Sequence, residues 1–428
     1  MGDRHQFDSR VERDEPICAS LAAGLYDRDA VLGTTSPNGA ASTATYHDTS
    51  DRRLRRAGIT LRRRMVNGVG VWEAEVAGRV VSAPGGPAEL PPQLAKRLRA
   101  PLRDADVVEI ARLREGEDDV ALLEGQHVVR TYPDLGDALD DALGGLADGA
   151  PAQDAPALEH VRAYLRRQLA EIERTDPILR SVSDDEAVHD FRVAVRRSRA
   201  ILRVTRDLFD QDWLSSLRAE LKWLGGEFAP LRDLDVLVEK LREDGDRDFS
   251  PVVKALTAER RSARARVTKA LGSERYFLLL DELAGAVDHP PVRSVDVSLQ
   301  KVAAREFRRL RRRVSALGRQ PTDMALHRAR IAAKRARYAA ELAEGVTGRR
   351  SRKFVKAAKA FQDVTGAHQD AVIAAERIRS VRAASANADV AFAAGRLVER
   401  QAIRRAVARA SLPKAWRRLE RRGRKAWG

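Results

Sequence analysis

The stretch His189-Asp-Phe-Arg192-Val-Ala-Val-Arg196-Arg197-Ser-Arg199 returns later in the chain as His327-Arg-Ala-Arg330-Ile-Ala-Ala-Lys334-Arg335-Ala-Arg337. Both copies read H-x-x-R-[V/I]-A-x-[R/K]-R-x-R without a gap. An α-helix turns about 100° per residue, so offsets 0, 3, 7 and 10 fall within an arc of roughly 80°. His189, Arg192, Arg196 and Arg199 therefore form one stripe, which Arg203 extends, and His327, Arg330, Lys334 and Arg337 form its twin. A packed helix usually places Leu or Ile at these offsets. Here they carry cations, so each helix presents a basic ridge roughly 20 Å long. Two such ridges suit a long polyanion.

Outward from the repeat, the chain has 428 residues, enough for two or three domains. It is 43% hydrophobic and 33% charged, with a net charge of +16. That excess draws phosphate polymers, nucleic acid or an anionic surface. It is concentrated: Lys301 to Arg350 holds fifteen basic and four acidic residues. Arginine dominates, and its planar fork holds two phosphate oxygens at once. A single run such as Arg311-Arg312-Arg313 reads as a solvated helix face; the ridges differ because their register recurs. The single cysteine, Cys18, excludes an internal disulfide framework and a Cys-rich zinc site. No stretch reaches the ~20 apolar residues of a membrane span. The first residues lack an apolar signal core, so the expectation is a cytoplasmic protein.

Composition changes near residue 150. Before it, Gly70-Val-Trp-Glu-Ala-Glu-Val76 and Gly78-Arg-Val-Val-Ser82 alternate in period two. They read as strands, as do the segments from Val120 and His127, and Pro91 to Leu98 reads as a short helix. Residues 144–157 are a linker by composition. Helical patterns then run over 158–173, 185–209, 212–228, 231–243, 251–271, 274–286, 296–317, 322–344, 350–365, 368–383 and 389–410. The expected domains are 1–143, β-rich α+β, and 158–428, helical, with repeats at about 158–290 and 291–428. After each ridge helix comes another helix and then a matching turn, at Leu224–Asp235 and at Phe361–Asp370.

The segment from about Leu158 to Arg409 resembles the CHAD domain, the conserved-histidine α-helical domain. The resemblance rests on the two ridge motifs, Leu221-Lys222-Trp-Leu-Gly, Leu231-Arg232-Asp233-x-Asp235-Val and Phe361-Gln362-Asp363-x-x-Gly366-x-His368-Gln369-Asp370. It implies two pseudo-symmetric helical bundles around a basic groove for inorganic polyphosphate, possible residence on polyphosphate granules, and binding rather than catalysis. By the same resemblance the groove is lined by His189, Arg192, Arg196, Arg199, Lys222, Arg232, His327, Arg330, Lys334, Arg337 and His368. The stretch from Tyr46 to Arg64, with Trp72-Glu-Ala-Glu75-Val after it, resembles a CYTH domain, the triphosphate-tunnel fold. That family's first strand carries E-x-E-x-K for a divalent metal; here only Val11-Glu12-Arg13-Asp14-Glu15 stands near that place, without the spacing or the lysine. The departure implies a degenerate, inactive domain, and no catalytic residue, metal ligand or cofactor is assigned.

Polyphosphate would bind much as a nucleic-acid backbone does, by displacing condensed counterions. Asp233, Asp235 and Asp370 have two readings: they orient cations and offset their repulsion, or they help hold a divalent ion arriving with the polymer. His160 and His289 read as ordinary surface or core residues. Trp213, Trp223, Trp416 and Phe191 read as core, and an aromatic content of 5% argues against base stacking. No phosphate-binding loop, nucleophile elbow or H-E-x-x-H pair occurs. The alternatives are a metal-dependent triphosphatase in the N-terminal region and nucleic-acid binding through the same basic surface.

Overall fold

The computed structural model describes residues 42–116, 119–142, 150–181, 184–243, 249–293 and 296–428. Cys18, the Val11–Glu15 segment and residues 144–149 of the linker lie outside the described residues. The chain divides into two compact units, Met1–Leu146 and Ala147–Gly428.

The first unit is an antiparallel sheet of seven described strands: β1 (Ser42–Thr49), β2 (Ile59–Val66), β3 (Val69–Val76), β4 (Arg79–Pro84), β5 (Val107–Glu115), β6 (Val120–Glu124) and β7 (His127–Tyr132). Their order is β4-β3-β2-β1-β5-β6-β7. Short helices α1 (Arg53–Arg56), α2 (Pro92–Arg97), α3 (Arg99–Leu102) and α4 (Leu135–Ala142) accompany it. The hairpins form where two-residue turns allow positive φ, at Asn67-Gly68 (50° and 81°) and Ala77-Gly78 (50° and 71°). One apolar core gathers Ala44, Tyr46, Leu113, Val120, Tyr132 and Leu139. The turn after β1 is organised by buried Asp48, whose carboxylate accepts from the backbone N–H groups of Thr49 (2.7 Å), Leu54 (2.9 Å) and Arg55 (3.0 Å). It thereby satisfies the orphan donors at the start of α1.

The second unit is helical: α5 (Ala157–Ser181), α6 (Asp185–Val204), α7 (Gln211–Glu243), α8 (Ser250–Leu271), α9 (Glu274–Asp288), α10 (Leu299–Ser315), α11 (Asp323–Leu342), α12 (Glu344–Thr347), α13 (Arg349–Ala383) and α14 (Ala388–Trp427). In the first half α6 packs on α5 and α7, and α7 on α8; in the second, α11 packs on α10 and α13, and α13 on α14. The two ridge helices are built in one register. Asp184 caps α6, accepting from Ala187 N–H at 2.8 Å, and Thr322 caps α11, accepting from Ala325 N–H at 3.2 Å. Both caps stand five residues before the ridge histidine. The buried positions also match, with Val188, Phe191, Val195, Ser198 and Leu202 of α6 answering Leu326, Ala329, Ala333, Ala336 and Ala340 of α11. In the first half Phe191 stacks on Phe228, ring centroids 4.4 Å apart. In the second, Phe307, Phe354, Phe361 and Leu419 fill the equivalent space.

Three expected breaks are absent. Leu224–Asp235 is not a turn: α7 runs through Gly225, Gly226 and Pro230. Phe361–Asp370 is not a turn either, since α13 is continuous over 35 residues with Gly366 inside it. The last helix runs on from 410, through Pro413, to Trp427. An interior proline costs about 3 kcal/mol and a glycine about 1 kcal/mol, sums that buried Phe228, Leu231, Phe361 and Leu419 outweigh.

Candidate functional site

The ridge helices α6 and α11 pack against each other, bringing the two halves of the duplication together. Arg196 of α6 donates from Nε to the Tyr338 hydroxyl of α11 at 3.1 Å. Around this contact the cations crowd. Lys334 is half-buried, and its ammonium is pushed down to about 6, first by loss of water and then by Arg196, Arg330, Arg192 and Arg337. Arg192 and Arg330 are likewise held below the usual guanidinium value by burial, with Arg196 adding to both. Arg199 follows the same pattern, with Arg203 and Arg196 as its cationic neighbours.

Counter-charge here is sparse and weakly held. Arg192 reaches Asp233 at 3.5 Å, and Lys240 of α7 reaches Asp370 of α13 at 3.9 Å. Asp370 and Asp363 also act on Arg330 as counter-charges. The Arg330 guanidinium lies against α13 at Gly366, where an added Cβ would meet Nη2 at 3.4 Å, an ordinary contact distance.

The other expected residues divide into three groups. His189 and Arg232 are half-buried on α6 and α7, and Arg232 is near enough to Arg192 to depress it. His327 is half-buried, its Nδ1 3.0 Å from the Gln369 side-chain oxygen. Lys222 is exposed on α7. Arg337 and His368 turn inward instead. Arg337 is 6% exposed, pairs with Glu341 at 3.2 Å and lies over the Tyr338 ring. His368 is 2% exposed, with Nε2 3.2 Å from Asp323 and 3.2 Å from Arg409 Nε. Burial, then Arg409, lowers its proton affinity against the pull of Asp323. At these two places an open ridge is replaced by packed ion clusters, because offset 10 of α11 and the inner side of α13 face neighbouring helices.

The inward clusters repeat between the halves. Asp185 and Asp323, each four residues before a ridge histidine, take an arginine from a later helix of their half: Arg260 of α8 for Asp185, Arg409 of α14 for Asp323 (2.6 Å). Arg260 also bonds Asp235, which is 1% exposed, and Arg409 bonds His368. Asp235 therefore orients a cation, the first of its two readings. Among the described residues, no group of three or more His, Cys, Asp or Glu side chains is placed to hold a metal ion.

Tyr338 is the residue at the seam to which sequence reasoning gave no role. Its hydroxyl is fully buried, and burial alone would raise its pKa. Arg196, Arg337 and Arg197 outweigh that and draw it below the ordinary tyrosine value. Its signal was present: Tyr338 stands where the first copy has Ala200, a break in an otherwise parallel register.

Comparison with known proteins bears on this arrangement. The family model described as the CHAD domain matches residues 163–379. Among solved structures, PptA from Streptomyces chartreusis is similar at 25% identity and a TM-score of 0.52, covering 61% of this chain and 100% of its own. The CHAD domain from the plant Ricinus communis is similar at 27% identity and a TM-score of 0.54, covering 63% of this chain and 95% of its own. No curated protein matches the chain.

Proposed function

Since the chain belongs to the CHAD domain family, we propose that its helical unit binds inorganic polyphosphate along the basic seam where α6 meets α11. The observation that carries this reading is Lys334, half-buried among Arg192, Arg196 and Arg330 with little opposing carboxylate. Cations held together at the expense of their own solvation are stabilised when a polyanion arrives. A chain with about one charge per repeat unit can answer them in series, releasing counterions as it binds. In this reading His189, Arg192, Arg196, Arg199, Arg232, His327, Arg330 and Lys334 touch phosphate. Lys222 adds an outlying charge, while Arg337 and His368 support the seam from inside.

Filter retention of long-chain polyphosphate tests the reading. Wild-type protein should retain the polymer saturably. Replacing Arg192, Arg196, Arg330 and Lys334 by Glu should abolish retention and leave the helical circular dichroism intact. Absence of saturable retention by the wild type would sink the proposal.

The sheet unit keeps its CYTH-like resemblance only as a proposal, supported by its antiparallel sheet and by Arg62 and Arg64 on β2. We read it as non-catalytic, because those arginines are already bound to Glu73 and Glu115. No helix among the described residues is long and apolar enough to cross a membrane. A cytoplasmic location, with access to polyphosphate granules, would be consistent with this function.

A further inference from the structure

The last helix carries a second cationic surface, apart from the seam. On α14, Lys414, Arg417, Arg418, Arg421, Arg424 and Lys425 are all exposed. At 100° per residue they fall within an arc of about 120° and span roughly 17 Å. Residues 411–428 contain one carboxylate, Glu420, which flanks the stripe and bonds Arg424 at 2.7 Å. The helix is a firm platform. Leu419 is buried, Trp416 packs against Phe361 and Trp427 against Phe354, and a Cβ at Gly423 would overlap the Phe307 ring. The start of α13, whose Phe354 shares this core, exposes Arg349, Arg352, Lys353 and Lys356. All of α14 lies beyond residue 379, where the family match ends.

A solvated helix face is the ordinary explanation for surface charge, but such faces mix both signs. Cations also favour helix C-termini, yet that effect reaches only the last turn, here Arg424 and Lys425. Lys414, Arg417, Arg418 and Arg421 stand above it. They repel one another at i,i+3 and i,i+4 spacing without a carboxylate between them. The stripe therefore favours an external polyanion.

Its form distinguishes that polyanion from the ligand of the seam. The seam cations are half-buried, which suits a thin single chain. The α14 cations project from the outside of a bundle, where a wide rod can lie against them. No exposed aromatic side chain stands on the stripe, since Trp416 and Trp427 face the core, so unstacked bases would find no platform. We propose that this end of α14 binds the phosphate backbone of duplex nucleic acid without regard to sequence.

The test uses full-length protein and a fluorescent mixed-sequence DNA duplex of about 30 base pairs, titrated by anisotropy across salt concentrations. Wild-type protein should bind near 50 mM salt with a log–log salt slope of about −4, as four or five phosphate contacts require. The Arg417→Glu/Arg418→Glu/Arg421→Glu variant should bind at least ~30-fold more weakly with a shallower slope. The corresponding triple Gln variant, which keeps helix propensity, should fall in between, and melting curves will show whether each variant is folded. The seam variant carrying Glu at 192, 196, 330 and 334 should hold the duplex within about threefold of wild type. Three outcomes would overturn the proposal: no duplex binding at low salt, duplex binding that survives reversal of the stripe, or binding lost with the seam instead. A fourth, stripe-dependent binding to phosphatidylserine vesicles but not to duplex, would replace nucleic acid with a membrane surface.

Discussion

The β2–β3 pair of the sheet and the α6–α11 seam of the helical unit treat arginine in opposite ways. In the sheet, Arg62 faces Glu73 across the β2–β3 pair, is 7% exposed, and binds Glu73 at 2.8 Å and Glu115 at 3.1 Å. Arg64 binds the same Glu73 at 2.8 Å, and Tyr46 donates its hydroxyl to Glu115. Burial alone would raise the Glu73 carboxyl, but Arg64 and Arg62 hold it below the usual range. Each charge has its answer inside the fold. At the α6–α11 seam, burial first and neighbouring cations second hold Arg192, Arg330 and Lys334 below their ordinary values, with Arg196 acting on all three. Counting arginines therefore does not locate an anion site. The proposed site rests instead on cations gathered at the α6–α11 seam with few carboxylates beside them.

The contrast can be broken most severely from the sheet side. Glu73→Ala would remove the carboxylate that Arg62 and Arg64 share and leave Arg62 to Glu115 alone, at a cost approaching the about 3–5 kcal/mol of breaking a buried pair. A drop of that size in urea-unfolding stability of the sheet unit is expected; a loss below about 1 kcal/mol would mean that the pair is solvent-screened like a surface ion pair. On the helical side the largest expected effect is on pH dependence. Lys334 titrates near 6 in the free protein, and a bound polyanion favours its charged form. Binding then takes up a proton. Affinity for polyphosphate should be highest and flat below about pH 6, and should fall by up to about tenfold per unit as pH rises above it, until the bound form also loses its proton. Calorimetry in buffers of different ionisation enthalpy would measure that uptake, and Lys334→Arg should remove it.

A smaller effect sharpens the role of Tyr338. Tyr338→Phe removes the acceptor that holds Arg196 without emptying the core. A hydrogen bond to a charged group contributes about 1.5–3 kcal/mol, so a fall in polyphosphate affinity of about tenfold is expected. Arg196→Ala added to Tyr338→Phe should cause little further loss, and full additivity in the double-mutant cycle would deny the coupling. The smallest change belongs to Lys222, which is exposed on α7. Lys222→Ala should weaken retention by no more than about twofold, in keeping with a screened surface charge.

Much of the fold was legible because the duplication repeats in register. The same offsets place cations outward and Val188, Phe191 and Val195, or Leu326, Ala329 and Ala333, inward. The strands from Gly70 and Gly78 were visible in their alternation and their turn residues. Reading failed where tertiary contacts override local signals. Gly225, Gly226 and Gly366 look like punctuation, yet packing carries α7 and α13 through them. Arg337 sits at the margin of its stripe, where periodicity cannot tell an open face from a helix–helix seam. His368 needs Asp323 and Arg409, residues distant in sequence, to explain its burial. The pairing of Glu73 with Arg62 and Arg64 depends on a cross-strand register that no spacing rule supplies.

The hydrogen bond from Arg196 to Tyr338 has a consequence for ancestry. The donor belongs to the first copy and the acceptor to the second, so neither half makes this contact when separated. A chain of one copy would need a second molecule to make it. Once joined, the halves were free to diverge, and the tyrosine that only one of them carries records the lost symmetry.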